Sequence, residues 1–224
     1  MLSFGLELLD AMFSGRDVTK AVILAEGPPG SGKEVLGYHF LNDGLRNHRL
    51  CIYVYPPNQT KEEIQGLLAS YGMETKPITW FDTSGTAKAE SDVIICDLSE
   101  LHVLSIKLKQ YVHEHKDTRI RMVFDVLNPA LMTNRSVDIY NFFSQLAQEF
   151  KKYDVLGYFL VEDGMHDPKS IVALEQLADA VIETRFVEDK MDIAQVLRVK
   201  KMGGFSVPQK FFKFVITKTG IKFE

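Results

Sequence analysis

The stretch Glu26-Gly27-Pro28-Pro29-Gly30-Ser31-Gly32-Lys33-Glu34 constrains this chain more than any other. An apolar run, Ala21-Val22-Ile23-Leu24-Ala25, precedes it. Val35-Leu36-Gly37-Tyr38-His39-Phe40-Leu41 follows with helical spacing. The order is strand, glycine loop, helix. Gly27, four residues, then Gly32-Lys33 matches the phosphate-cradling loop up to its last position. Glycines at 27, 30 and 32 permit backbone geometry that a Cβ obstructs, so successive N–H groups can converge on a phosphate. The helix start adds unpaired donors and the positive end of its dipole. Gly27, Gly30, Ser31, Gly32, Lys33, Glu34 and Val35 are therefore the candidate phosphate-binding residues, with Lys33 reaching the β- and γ-phosphates.

The final position departs from the motif. Glu34 stands where Ser or Thr offers a hydroxyl to Mg²⁺. A carboxylate can ligate Mg²⁺, but it brings negative charge beside a polyphosphate. Glu34 can instead pair with Lys33 and imitate phosphate. The residues leave both readings open. A loop of this kind also needs an acidic residue at the end of a neighbouring strand to hold the metal. Asp125 closes Ile120–Phe124 and is preferred, because a loop and a long helix follow it. Asp97 closes Val93–Cys96, but its place ahead of Leu98-Ser99-Glu100 suits a helix entry. Asp125 and Glu34 are thus the candidate Mg²⁺ ligands.

The rest of the chain alternates strand and helix to about residue 180 and ends in consecutive β segments. That pattern predicts an α/β fold: a mainly parallel central sheet flanked by helices, with an antiparallel C-terminal extension. A short amphipathic helix before Gly15 leads in. Thr60 with Glu63 three residues on predicts a capped helix over 60–70. Without a repeat or linker, residues 1–224 read as one domain. The chain is 46% hydrophobic and 25% charged, enough apolar material for a full core. No run approaches the length of a membrane span, and the N-terminus lacks a secretory pattern. Cys51 and Cys96 lie in apolar runs as buried free thiols, which points to the cytoplasm.

The net charge of −4 argues against a chain built mainly to coat nucleic acid. Residues 185–224, however, carry nine Lys/Arg against four Asp/Glu. This basic end is a candidate surface for phosphates, another subunit or nucleic acid, although such a bias is more often a solvated face. Phe211, Phe212 and Phe214 could stack on bases. Packing fits them better, since Phe212 and Phe214 share one strand face. Glu162, Asp163 and His166 follow a strand, where a capped loop is favoured over a water-contacting role. His113 and His115 lack a third ligand, so no metal site is expected there.

Several of these pieces occur together in one family. Gly27 to Lys33, Glu62-Glu63-Ile64 with Ser70-Tyr71-Gly72, and Asp125 at a strand end are joined by Glu175–Glu183, Leu197–Met202, Phe214–Thr217 and Gly220-Ile221. With them the chain resembles, nearly end to end, a RecA-superfamily P-loop ATPase of the KaiC-like group. The resemblance implies ATP or ADP with Mg²⁺ as ligand and self-association or a protein partner. It also implies adjacent glutamates after the second strand, one polarising the attacking water. Here that place holds Asn58-Gln59, or Pro57-Asn58 with a one-residue slip, and amides cannot take a proton. The group's Lys-Met-Arg-Gly turn, whose Lys and Arg reach a neighbour's nucleotide, reads Lys201-Met202-Gly203-Gly204. Lys201 remains and the arginine does not. The expectation is a domain that binds nucleotide weakly or not at all, hydrolyses it poorly, and serves a regulatory or scaffolding role. Two rivals stand beside it: a working ATPase in which Glu62 polarises water, and a recombinase-related accessory protein that binds DNA through the basic tail.

Overall fold

The computed structural model describes residues 2–13, 18–189, 192–204 and 206–224. Gly15 lies outside them, so the break expected there is not described. After α1 (Glu7–Phe13), strand β1 (Ala21–Gly27) runs into the glycine loop and α2 (Lys33–Arg46). There follow β2 (Leu50–Tyr55), α3 (Lys61–Ser70), β3 (Thr79–Asp82), β4 (Val93–Ile95), α4 (Leu101–Glu114) and β5 (Ile120–Phe124). Next come α5 (Leu127–Thr133), α6 (Ser136–Lys152), β6 (Val155–Glu162) and α7 (Pro168–Leu177). The described chain closes with β7 (Ala180–Asp189), β8 (Asp192–Met202), β9 (Phe212–Thr217) and β10 (Gly220–Phe223).

All ten strands join one sheet in the order β10-β9-β8-β7-β1-β6-β5-β2-β3-β4. From β7 to β4 every pairing is parallel, and β8, β9 and β10 add antiparallel strands at one edge. Every residue of β1 is buried, as expected of a parallel strand covered on both faces. Ala21, Ile23 and Ala25 face one core with Leu36, Phe40 and Leu41 of α2 and Ile64 and Leu68 of α3. Val22 and Leu24 face the other, with Leu104 and Leu108 of α4 and Ile139, Phe143 and Leu146 of α6.

Local chemistry sets the element ends. Thr60 accepts from the Glu63 N–H at 3.2 Å, and the Glu63 side chain accepts from the Thr60 N–H at 2.8 Å. That is the capping box read from sequence, worth about 1 kcal/mol. Asp167 caps α7 with Pro168 in the first turn. The chain after β5 differs from the loop expected there: α5 forms at once, with Pro129 in its first turn, where no backbone donor is needed.

Because β1, β6, β5 and β2 are parallel neighbours, their C-terminal ends share one rim. It carries the glycine loop, Glu162, Asp125 and the Asn58-Gln59 segment. Ligands of open α/β sheets bind at such a rim.

Candidate nucleotide-binding site

The loop is shaped by close approach. A Cβ on Gly27 would lie 2.3 Å from Thr184 Oγ1 and 2.6 Å from Ser31 Oγ. Gly32 has φ +102°, and a Cβ there would come within 2.9 Å of the Phe214 ring. Ser31 N–H donates to the Pro28 carbonyl at 3.1 Å. The loop is braced from behind by the C-terminal strands. Ser31 Oγ lies 2.7 Å from Thr184 Oγ1, and Gln195 Nε2 donates to the Gly30 carbonyl at 2.9 Å. Tyr158 Oη on β6 donates to the Lys33 carbonyl at 2.8 Å, fixing the first turn of α2. Gly32, the N-cap of α2, offers no side-chain cap, so the first N–H groups of that helix remain available to an anion. Val35 turns into the core.

Lys33 is fully buried. Its ammonium donates to Glu34 Oε1 at 2.6 Å, to Glu162 Oε2 at 2.8 Å and to the Pro28 carbonyl at 3.2 Å. Glu34 thus makes the pairing that the sequence left as one of two options. Asp125 is bonded by the Tyr53 hydroxyl at 3.4 Å, and its own N–H donates to the Val54 carbonyl. Burial, and then the charge of Glu34, push the Asp125 carboxyl up to about 7, against the opposing pull of Lys33. Burial raises Glu162 as well, countered by its bond to Lys33. Two carboxylates therefore bond one ammonium, and a third, Asp125, lies within its electrostatic reach. Either Glu34 or Asp125 has the donor chemistry for Mg²⁺, and a cation there would relieve the excess negative charge.

Glu162 is the residue that sequence reasoning undervalued. It pairs with Gly27 in register across β6 and β1. Its N–H donates to Asn128 Oδ1 at 2.8 Å, and His166 Nε2 donates to the same oxygen at 3.1 Å. Asn128 itself, three residues past Asp125, carried no signal. Asp163 bonds the Gly27 carbonyl through its backbone alone.

Other candidates lie elsewhere. Asn58 is exposed. Gln59 lines a groove of about 400 Å³ between the loops after β2 and β3, together with Glu62. The Gln59 side-chain oxygen is buried without a hydrogen-bond partner among the described residues. Neither amide touches Lys33 or Asp125. Asp97 accepts from the N–H and hydroxyl of Ser99 at the entry to α4. Lys201 donates to the carbonyls of Glu175, Gln176 and Ala178 at the C-terminal end of α7. Within the chain it is not brought to the loop. Phe214 is core, and Phe211 carries the guanidiniums of Arg185 and Arg198 over its ring at 3.7 and 4.8 Å. Among the described residues no His/Cys/Asp/Glu group forms a metal cluster, and no helix is long and apolar enough to cross a membrane. His113 and His115 bond Tyr153 and the Tyr111 carbonyl instead.

A glycine loop between β1 and α2, with an acidic residue closing β5 on the same rim of a mostly parallel sheet, defines a P-loop domain of the RecA-like class. The profile of the family described as "ATPase: KaiC" matches residues 2–224, and the chain belongs to that family. Among its relatives are the circadian clock oscillator protein KaiC of Parathermosynechococcus lividus, 26% identical over 99% of this chain and 40% of that protein, and a KaiC of Prochlorococcus marinus, 26% identical over 98% and 43%. The chain thus spans well under half the length of these curated relatives. A KaiC-like protein from Pyrococcus horikoshii OT3 shares the fold at a TM-score of 0.69 and 17% identity, over 91% of this chain and 89% of that one.

Proposed function

We propose that this chain is a nucleotide-responsive regulatory or scaffolding domain that binds ATP or ADP weakly and hydrolyses ATP poorly. The observation that carries the reading is the Lys33 ammonium held 2.6 Å from Glu34, at the position where the motif calls for a metal-binding hydroxyl. An incoming phosphate must compete with that carboxylate for the only side-chain cation the loop provides. Asn58 and Gln59 offer no general base, and Gly203 offers no arginine finger to a neighbour's nucleotide. Gly27, Gly30, Ser31, Gly32, Lys33 and the α2 N-terminus form the phosphate cradle, and Asp125 with Glu34 takes Mg²⁺. Lys201 serves α7 within its own chain and is free to meet a neighbour's nucleotide only if that helix end yields it. What supports reading the chain as one domain is the single sheet that runs through all ten strands.

The partner is nucleotide first, with another protein or a second copy as the receiver of its state. Without the arginine, ATP should not drive self-association, and light scattering with and without ATP·Mg²⁺ reads this directly. The decisive experiment is a titration with ATP and ADP, with and without Mg²⁺, beside a phosphate-release assay. Weak binding strengthened by Mg²⁺, with little release, is the expected result. Release at an ordinary ATPase rate that depends on Lys33 and Asp125 would overturn the reading in favour of a working ATPase.

A further inference from the structure

Lys33 is held by a second carboxylate besides Glu34. Glu162 sits at the end of β6, between the loop on β1 and Asp125 on β5. The lysine of such a loop meets the β- and γ-phosphates, and the acidic strand end with its metal serves the bridge between them. Glu162 therefore holds an ammonium bond that a γ-phosphate would have to take over. A diphosphate would bring no γ-phosphate to compete for that bond. Glu162 is anchored at its backbone. Its backbone N–H is tied to Asn128, whose oxygen also accepts from His166, so the strand end is clamped to α5 and to the loop before α7.

We propose that Glu162, anchored at its backbone by Asn128 and through it by His166, is a specificity-determining residue that makes this site accept a nucleoside diphosphate in preference to the triphosphate. The inference rests on the nucleotide-binding reading above. A γ-phosphate brings negative charge among Glu34, Asp125 and Glu162 and must break a charge-assisted bond at 2.8 Å to reach Lys33. The diphosphate leaves that bond in place. Asn128 is a positioning residue: it bonds the Glu162 backbone rather than Lys33 and acts through Glu162.

Calorimetric titration of the protein with ADP and with ATP, without Mg²⁺, tests this. The unmodified protein should bind ADP about ten-fold or more tighter than ATP, the worth of one charge-assisted hydrogen bond. Glu162→Gln keeps the shape and removes the charge. It should raise ATP affinity about ten-fold while leaving ADP within about three-fold, so that the ratio collapses. Asn128→Ala should shift the ratio in the same direction by less. Asp163→Asn, one residue on and exposed, should leave it unchanged. A purely structural role for Glu162 or Asn128 would weaken both nucleotides together and keep the ratio, which would overturn the proposal. Equal affinities in the unmodified protein would overturn it as well, while leaving weak nucleotide binding intact. Should Glu162→Gln fail to fold, the ratio in Asn128→Ala decides. A protein that binds neither nucleotide, even with Mg²⁺, overturns both readings.

Discussion

Two lysines carry motif signals here, and their surroundings differ. Lys33, in the parallel half, is held by two carboxylates that lie at the end of a strand and in the first turn of a helix. Lys201, in the antiparallel extension, is held by three backbone carbonyls at a helix C-terminus. Side-chain carboxylates can give way to phosphate, because one anion replaces another. Backbone carbonyls at the end of α7 have no such substitute, and the ammonium also favours the negative end of the helix dipole. One lysine is held by groups of a kind that an anion can replace, and the other by backbone groups that it cannot.

The largest test of that contrast is Lys33→Ala. It should lower nucleotide affinity by about a hundred-fold or to nothing, since one charged group serves two phosphates. Unchanged affinity would mean that any ligand binds elsewhere. Turnover should resist single repairs. Glu34→Thr should strengthen Mg²⁺-dependent binding, yet barely raise phosphate release. Adding Gln59→Glu, or Asn58→Glu, should recover measurable release, since a positioned base is worth about 10²–10⁴-fold. These contributions need not multiply, because groups that act together are non-additive.

Lys201→Met should act on stability instead, lowering it by roughly 1.5–3 kcal/mol in denaturant unfolding, the worth of hydrogen bonds to a charged group. Nucleotide affinity of the isolated chain should not move. If it does, Lys201 reaches phosphate after all and the contrast between the two lysines fails.

The remaining effect expected is one of pH. The Asp125 carboxyl has an ordinary value of 3.8 and is pushed to about 7. The folded protein therefore holds that proton more tightly than the unfolded chain does. Its contribution to stability is full below about pH 4 and is lost as pH rises to about 7. Glu26, also raised to about 7 by burial despite its bond to Lys200, adds a loss of the same sign over the same window. Asp125→Asn should flatten part of the pH dependence of unfolding and Glu26→Gln another part. An unchanged profile in both variants would remove the electrostatic account of these sites.

Much of the fold was legible because its signals are local. The Ala21–Ala25 run, the glycines and the following helical spacing lie side by side, and Thr60 meets Glu63 within one turn. Asp125 was legible as a carboxylate closing an apolar strand. Helix α5 was not, because Asn128-Pro129 reads as a turn, although proline suits a first helical turn just as well. The supports of the loop were not legible either. Glu162 lies 129 residues from Lys33, Thr184 lies 153 from Ser31, and Gln195 lies 165 from Gly30. No periodicity or capping rule spans such separations.

Residue order alone dictates a strand–loop–helix that can cradle phosphate, a parallel sheet with an antiparallel edge, and a carboxylate, Glu34, where the loop motif has a hydroxyl. Folding brings Glu34 and Glu162 to one Lys33, ties the backbone of Glu162 to Asn128, and sets Lys201 at the end of α7. Residue types and spacing specify which groups exist and which secondary structure carries them. Which charges meet depends on strand order, and here that order sets β6 between β1 and β5.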